Sequence, residues 1–166
     1  NVQVVGLSFN TATLRTGTLI SGEVSHHFDY PFQIFPADVF TAALSAIEFD
    51  PLFGQGPLGD YAADSVVRGV AKRDKTQVEL GLRQLLGPQL GSSQTILGFD
   101  VGWVHVYDLP DDGDLRFAAP GVTGESDFDR LPDADSVGYR LLAGLTYEGV
   151  FGGFTVQVAV MVRVSN

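Results

Sequence analysis

A two-residue alternation of side-chain character runs through most of this chain and limits the folds open to it. Apolar residues alternate with small or polar ones in six segments, residues 5–10, 18–27, 76–82, 95–107, 139–147 and 154–164. Because successive side chains of a β-strand point to opposite faces, this period predicts strands with one apolar and one polar face. Most segments are about ten residues long, whereas ordinary strands have about 5–6 residues and membrane-spanning strands about 9–11.

The connections between these segments alternate between short and long. Residues 11–17, 87–94 and 149–153 form the short ones, and residues 28–75 and 108–137 form the long ones. Short periplasmic turns and long extracellular loops alternate in this way in outer-membrane β-barrels. Aromatic residues near both ends of the strands flank an aliphatic band, as the two membrane interfaces favour. These are Phe9, Tyr147, Phe151 and Phe154 near the short connections, and Phe28, Tyr30, Trp103, Tyr107 and Tyr139 near the long ones.

Composition excludes several classes of protein. The formal net charge of −10 argues against nucleic acid as a partner. The chain has no cysteine, so disulfides and thiolate metal sites are excluded. The chain contains no run of about 18 apolar residues, so no transmembrane helix is predicted. The chain is not predicted to be an enzyme, because Ser8 lacks the Gly-x-Ser-x-Gly pattern and the histidines do not cluster, so no catalytic residue and no cofactor is expected.

Short motifs, taken in order, resemble those of one known family. They are GLSFN at residues 6–10, GEVS at 22–25, PFQ at 31–33, DLP at 108–110, SVGYRL at 136–141 and VFGG at 150–153, the last preceded by Tyr147. The family is a group of large, uncharacterised proteobacterial outer-membrane β-barrels, encoded beside an MMPL exporter of the resistance-nodulation-division type and a LolB-like protein. The resemblance implies a place in the bacterial outer membrane, in contact with lipid and lipopolysaccharide. It also implies an inner-membrane exporter and a periplasmic lipid-binding protein as partners.

The predicted fold class is all-β. It is an antiparallel transmembrane β-barrel segment with about six long strands, short periplasmic turns, long extracellular loops and one short helix in the first long loop. Six strands fall short of the roughly eight in the smallest bacterial outer-membrane barrels. Residues 1–166 are therefore expected to be one part of an outer-membrane barrel domain, and the chain a fragment of a larger family member.

Seven charged residues share the predicted polar strand face. An Arg on a lipid-facing surface costs about 2–4 kcal/mol at mid-membrane, so these side chains are predicted to line the lumen. They are Glu23, Glu79, Arg83, Asp100, Arg140, Glu148 and Arg163. Arg83 and Asp100 are expected to meet across the strand pair joined by residues 87–94. Five glycines assigned to the same face widen the lumen, namely Gly22, Gly81, Gly98, Gly102 and Gly144. The alternative is general lumen polarity with ion pairs between neighbouring strands.

The long segment 28–75 is unusually rich in phenylalanine. Its apolar residues are predicted to form a loop core or a lumen plug, namely Phe32, Phe35, Phe40, Leu44, Ile47, Phe49 and Phe53. Residues 36–49 are predicted to be a short helix that begins at Pro36, with one apolar face. That face is Val39, Phe40, Ala43, Leu44 and Ile47. The segment either provides a path for an apolar substrate or forms a small satellite core, since so much apolar surface is not left in water.

The second long segment, 108–137, is acidic and is predicted to be a solvated extracellular loop. Asp111, Asp112 and Asp114 are a weak candidate Ca²⁺ site, because carboxylates suit hard cations but the EF-hand spacing is missing. No other metal site is expected.

The sequence therefore predicts passage of hydrophobic or amphipathic molecules across the outer membrane, acting with an inner-membrane exporter. Two alternatives are open. One is a structural or adhesive outer-membrane barrel whose long loops bind partners. The other is a soluble all-β sandwich or jelly-roll binding module, in which the same alternation would bury the apolar face against a second sheet.

Overall fold

The computed structural model describes residues 1–45, 56–62, 64–110, 115–118, 133–150 and 152–165. Its strands form a single six-stranded antiparallel sheet in chain order, so the first and the last strand are the edges. The strands are β1 Gln3–Ala12, β2 Leu19–Gln33, β3 Val70–Gly87, β4 Gln94–Val106, β5 Asp135–Val150 and β6 Phe154–Ser165. One helix, α1, spans Pro36–Leu44. The predicted all-β class, with six antiparallel strands and a short helix, is confirmed.

The strands are long, from 10 residues in β1 to 18 in β3. Most of them run further than the alternation indicates, above all β2, which continues to Gln33, and β3, which begins at Val70. The first long connection is therefore 34–69 rather than 28–75, and the second is 107–134 rather than 108–137. The alternation is hard to read at Pro31, which lacks a backbone N–H but lies within β2.

The chain divides into two compact units. We call residues 4–26, 76–105 and 135–166 the sheet unit, and residues 1–3, 27–75 and 106–134 the loop unit. The three short connections between strands all belong to the sheet unit, and both long connections belong to the loop unit. Among the described residues, no helix is long and apolar enough to span a membrane.

The sheet unit is held together by regular ladders of strand pairing. β4 pairs with β5 without interruption from Gln94 opposite Thr146 to His105 opposite Asp135. β5 pairs with β6 from Gly138 opposite Ser165 to Val150 opposite Phe154, with one irregularity between Tyr147 and Val150. Within its described residues, the buried non-glycine side chains are the small polar ones of Ser25, Ser92 and Thr95.

The apolar strand face of the sheet unit is exposed. Among its exposed side chains are Val5, Leu7, Val78, Leu80, Leu97, Leu141, Val156, Val158, Val160 and Val162. No second sheet is present in the described part of the chain to cover them. The unit therefore has the reverse of the usual arrangement, in which apolar side chains are buried and polar ones exposed.

The loop unit contains all the buried hydrophobic side chains of the described residues. They are Ile34, Phe35, Ala42, Val106 and Phe117. Residues 33–35 lie beside residues 116–118, because Phe35 N donates to Arg116 O at 2.8 Å and Ala118 N donates to Gln33 O at 2.9 Å. Ile34 N donates to Gly69 O at 3.0 Å, so both long connections contribute to one small core.

Helix α1 buries a different face from the predicted one. Pro36 occupies the first turn, where its missing N–H costs nothing, and Asp38 places a negative charge near the positive end of the helix. Asp38 and Ala42, one turn apart, are buried, whereas Phe40 is 65% exposed. The predicted burial of Phe40 is wrong. An ion pair with a residue outside the helix holds Asp38 on the buried face, and Phe40 lies on the exposed one. Of the predicted helix, residues 46–49 lie outside the described residues.

Candidate functional site

The polar strand faces of the sheet unit line a cavity of about 750 Å³. All six strands contribute to its lining. Five of the seven predicted lumen residues are among the lining residues, namely Glu23, Glu79, Asp100, Arg140 and Arg163. Arg83 contacts this group through Asp100. The alternation along the strands therefore brings charged side chains from distant parts of the sequence together on one concave surface.

The predicted contact between Arg83 and Asp100 is confirmed. Arg83 Nη1 donates to Asp100 Oδ1 at 2.7 Å, and Arg83 Nη2 donates to Asp100 Oδ2 at 3.0 Å. This two-pronged geometry suits the planar guanidinium group. The two side chains are only 28% and 26% exposed, so the pair is partly shielded from water.

Asp100 also holds a second arginine from the next strand. Arg140, its register partner in β5, donates from Nε to Oδ2 at 2.8 Å, and its Nη2 lies 2.6 Å from the same oxygen. Arg163 in β6 is in turn the register partner of Arg140. We call Arg83, Asp100, Arg140 and Arg163 the charged row, because these residues come from four consecutive strands.

Two glycines make room for the charged row. A Cβ atom on Gly81 would lie 2.6 Å from Ser21 Oγ and 3.0 Å from Asp100 Oδ1. A Cβ atom on Gly98 would lie 3.1 Å from Arg83 Cδ. Any larger residue at these positions would push the ion pair out of place. The glycine pattern in the sequence predicts space at these two positions, but it does not show which side chains occupy that space.

Gly22 is among the cavity-lining residues, but a side chain at this position would lie on the other face of the sheet. Gly22 follows Ser21 along β2, so the two residues face opposite sides of the sheet. A Cβ atom on Gly22 would lie 2.3 Å from the ring of Phe9, which covers this glycine on the apolar side. Glu148 falls between Tyr147 and Val150, where the strand register shifts, and is not among the cavity-lining residues.

A second cluster joins the two long connections within the loop unit. Arg116 donates from Nε to Asp38 Oδ2 at 2.9 Å, and its Nη2 also contacts Asp38 Oδ1. The Asp38 side chain is 3% exposed, so this is a buried ion pair. Neither residue is among the site residues predicted from the sequence. Arg116 is one of two basic residues within the acidic segment 108–135, and that isolation was the available signal.

Aromatic rings and cations surround this core. The ring centroids of Tyr30 and Phe32 are 5.2 Å apart, and those of Phe32 and Phe117 are 5.9 Å apart. Lys75 Nζ lies 4.3 Å from the Tyr30 ring centroid, and Arg73 lies over Phe117. Among the predicted plug residues, Phe35 is buried, Phe32 and Leu44 are half-buried and Phe40 is exposed. Ile47, Phe49 and Phe53 lie outside the described residues.

A further cluster lies on the apolar side of β4 and β5. Asp135 Oδ1 accepts hydrogen bonds from Trp103 Nε1 and pairs with His105 Nδ1, both at 2.9 Å. The Trp103 and His105 rings stack with centroids 5.8 Å apart. The sequence does not indicate this contact of His105, because its partner lies 30 residues later and is brought opposite by the strand register.

The metal hypotheses remain predictions. Asp111, Asp112 and Asp114 lie outside the described residues. Within the described part of the chain, no group of three or more histidine, aspartate or glutamate side chains is placed to hold an ion.

No curated protein and no solved structure matches the chain. One family model does match, described as a protein of unknown function (DUF1302), and the match covers residues 1–165. The match therefore includes residues of both the sheet unit and the loop unit. The chain belongs to the DUF1302 family.

Proposed function

We propose that this chain is part of a bacterial outer-membrane β-barrel through which hydrophobic or amphipathic molecules pass. The observation that carries the proposal is the exposed apolar face of the sheet unit. Each buried CH₂ group contributes about 0.8 kcal/mol when it leaves water, so a row of exposed valine and leucine side chains favours an apolar environment. The hydrocarbon layer of a membrane is such an environment.

The strand dimensions support the same proposal. The six strands have 10 to 18 residues, which meets or exceeds the roughly 9–11 residues that a tilted strand needs to cross a bilayer. Along the paired strands, Trp103 and Tyr139 lie toward one end of the ladder, and Tyr147 and Phe154 lie toward the other. Aromatic residues favour the two membrane interfaces, and aliphatic residues fill the stretch between them.

The concave polar face fits the lumen side of such a barrel. Charged side chains are costly against lipid and are tolerated where water enters. Six strands fall short of the roughly eight in the smallest barrels of this class, so the proposal includes further strands at the edges β1 and β6. The family resemblance adds an inner-membrane exporter and a periplasmic lipid-binding protein as proposed partners.

The membrane part of the proposal is tested with the single tryptophan of the chain. Trp103 is on the apolar face, so its fluorescence in reconstituted vesicles is expected to be quenched by brominated lipids and little affected by iodide in the water. A stable protein in detergent-free buffer, with Trp103 fully open to iodide, would favour a soluble binding module instead.

The transport part is tested by flux through proteoliposomes. We expect a labelled neutral apolar solute to equilibrate faster across vesicles that contain the protein than across empty ones. A matched control uses protein with Gly98→Leu, which places a side chain where Arg83 lies and narrows the lumen. Equal flux with and without protein, once Trp103 has been shown to face lipid, would leave an adhesive or structural barrel as the better explanation.

A further inference from the structure

The charged row carries more positive charge than its carboxylate neutralises. It contains three guanidinium groups and one carboxylate, and both oxygens of Asp100 are already used by Arg83 and Arg140. Within the described residues, Arg163 forms no ion pair with an acidic side chain. Its register partner in β5 is another cation, Arg140.

Direct cross-strand pairing of two like charges is unfavourable. Side chains of register partners on one face have Cβ atoms about 4.5–5.5 Å apart, and like charges at that separation destabilise the pair. Asp100 orients Arg140 through Nε, with Nη2 beside the same oxygen, and within the described residues the Nη1 group of Arg140 contacts no acidic side chain. A small anion placed between Arg140 and Arg163 would accept hydrogen bonds from both and remove the repulsion.

The surroundings of these two arginines are partly apolar. Met161 precedes Arg163 by two residues, so it lies on the same strand face, and its side chain is 57% exposed. Met161 is opposite Leu142 in β5, and Val104 also lines the cavity. The cavity of about 750 Å³ lies within the range of roughly 300–1,000 Å³ typical of small-molecule sites.

From this arrangement we propose that the concave face holds a binding site for an amphipathic carboxylate, with its anionic head between Arg140 and Arg163 and its apolar tail against Met161. The proposal rests on the proposed function and names the substrate class for it. Glu23 and Glu79 also line the cavity, nearer the β2 and β3 side, so the cavity has an acidic and a basic wall. Such a field orients a bound molecule whose charge is at one end.

The test measures binding of octanoate to the full chain in non-ionic detergent by equilibrium dialysis, with protein-free micelles as the blank. Octanol and octylammonium provide a neutral and a cationic molecule with the same tail, and acetate provides the head group without a tail. We expect octanoate to bind more tightly than all three. Equal binding of octanoate and octanol would overturn the proposal.

Substitutions assign the site. Arg163→Gln is expected to weaken octanoate binding about tenfold, the loss typical of one charge-assisted hydrogen-bond partner. Arg163→Lys should recover part of it, because it keeps the charge but not the planar donor pair. The matched control is Arg15→Gln, in the short connection between β1 and β2. Octanoate binding that is unchanged in both Arg163→Gln and Arg140→Gln would overturn the proposal.

Asp100→Asn gives a result of opposite sign. Removing this carboxylate frees Arg83 and Arg140, so octanoate binding is expected to strengthen severalfold. A weaker affinity in Asp100→Asn would show that the carboxylate is needed to build the site and would contradict the assigned role of surplus positive charge. If a neutral solute crosses vesicles while octanoate shows no preference over octanol, this inference fails and the proposed function stands.

Discussion

The sheet unit and the loop unit distribute apolar side chains in opposite ways. In the described residues, every buried hydrophobic side chain belongs to the loop unit, and the sheet unit buries Ser25, Ser92 and Thr95 instead. The loop unit therefore derives stability from its own core. The sheet unit depends on backbone ladders and on whatever surrounds its apolar face. The two units should consequently respond differently to the same kind of substitution, and to the presence of lipid.

The largest effect is expected in the loop unit, at the buried ion pair. Asp38→Ala leaves Arg116 without its carboxylate in a largely buried position and is expected to cost about 3–5 kcal/mol. Hydrogen exchange of the α1 amides in the refolded protein measures this cost locally. The control is Lys72→Ala, which removes an exposed ion pair with Asp29 worth about 0–1 kcal/mol. Similar losses in both variants would contradict the distinction between buried and exposed pairs.

Two phenylalanines of one segment sharpen the same comparison. Phe35 is 4% exposed and Phe40 is 65% exposed, although the helical pattern predicts burial for Phe40. Phe35→Ala is expected to cost about 3–5 kcal/mol, as for other core phenylalanines, and Phe40→Ala within about 0.5 kcal/mol. Urea denaturation, monitored by hydrogen exchange of the loop-unit amides, distinguishes the two variants. A larger loss in Phe40→Ala would favour the face expected from the sequence.

Neighbouring residues of β6 test the sheet unit. Val158 is on the exposed apolar face, and Ala159, opposite Gly144, is on the polar face. If the apolar face contacts lipid, Val158→Arg should destabilise the protein in vesicles by about 2–4 kcal/mol, and Ala159→Arg should have little effect. The measurement is the urea midpoint of folding in vesicles. Equal effects of the two arginines would contradict a lipid-facing apolar side.

The smallest effect is expected within the charged row. Asp100→Asn leaves Arg83 and Arg140 without their shared carboxylate. It should cost about 1–2 kcal/mol, because the group is only partly shielded from water. Added salt screens charge repulsion, so the loss should shrink between low and high ionic strength. Glu23→Gln is the control, as a carboxyl group that lines the same cavity. A loss at Asp100 that is independent of salt would argue against repulsion as its cause.

The parts of the fold that the sequence predicts are those that depend on local alternation. Period-two patterning predicts the six strands, and it places Arg83 and Asp100 on one face of neighbouring strands, where the structure has them in contact. The pairing of Arg140 with Arg163 was not predicted, because register between β5 and β6 depends on where the intervening turn closes. Alternation indicates which face of the sheet a residue occupies, but it does not indicate which residue lies opposite it on the neighbouring strand.

The loop unit was harder to predict, because its contacts are distant in sequence. Asp38 is buried against Arg116, 78 residues later, and no helical pattern in residues 36–49 contains that information. The pattern of apolar residues along the helix favours burial of Phe40, whereas the ion pair of Asp38 with Arg116 determines which face is buried. Similarly, Pro31 suggests the end of a strand, although β2 continues to Gln33 through contacts of the loop unit.

The pairing of Asp38 with Arg116 has a consequence for the order of folding. A nine-residue helix is unstable alone in water, so α1 is not expected to form when the ribosome releases it. Its partner is synthesised only after β3 and β4. The contact closes a long stretch of chain, and such contacts form slowly because the loss of chain entropy precedes the gain. Although α1 is near the beginning of the chain, it should therefore be among the last elements to become protected during folding.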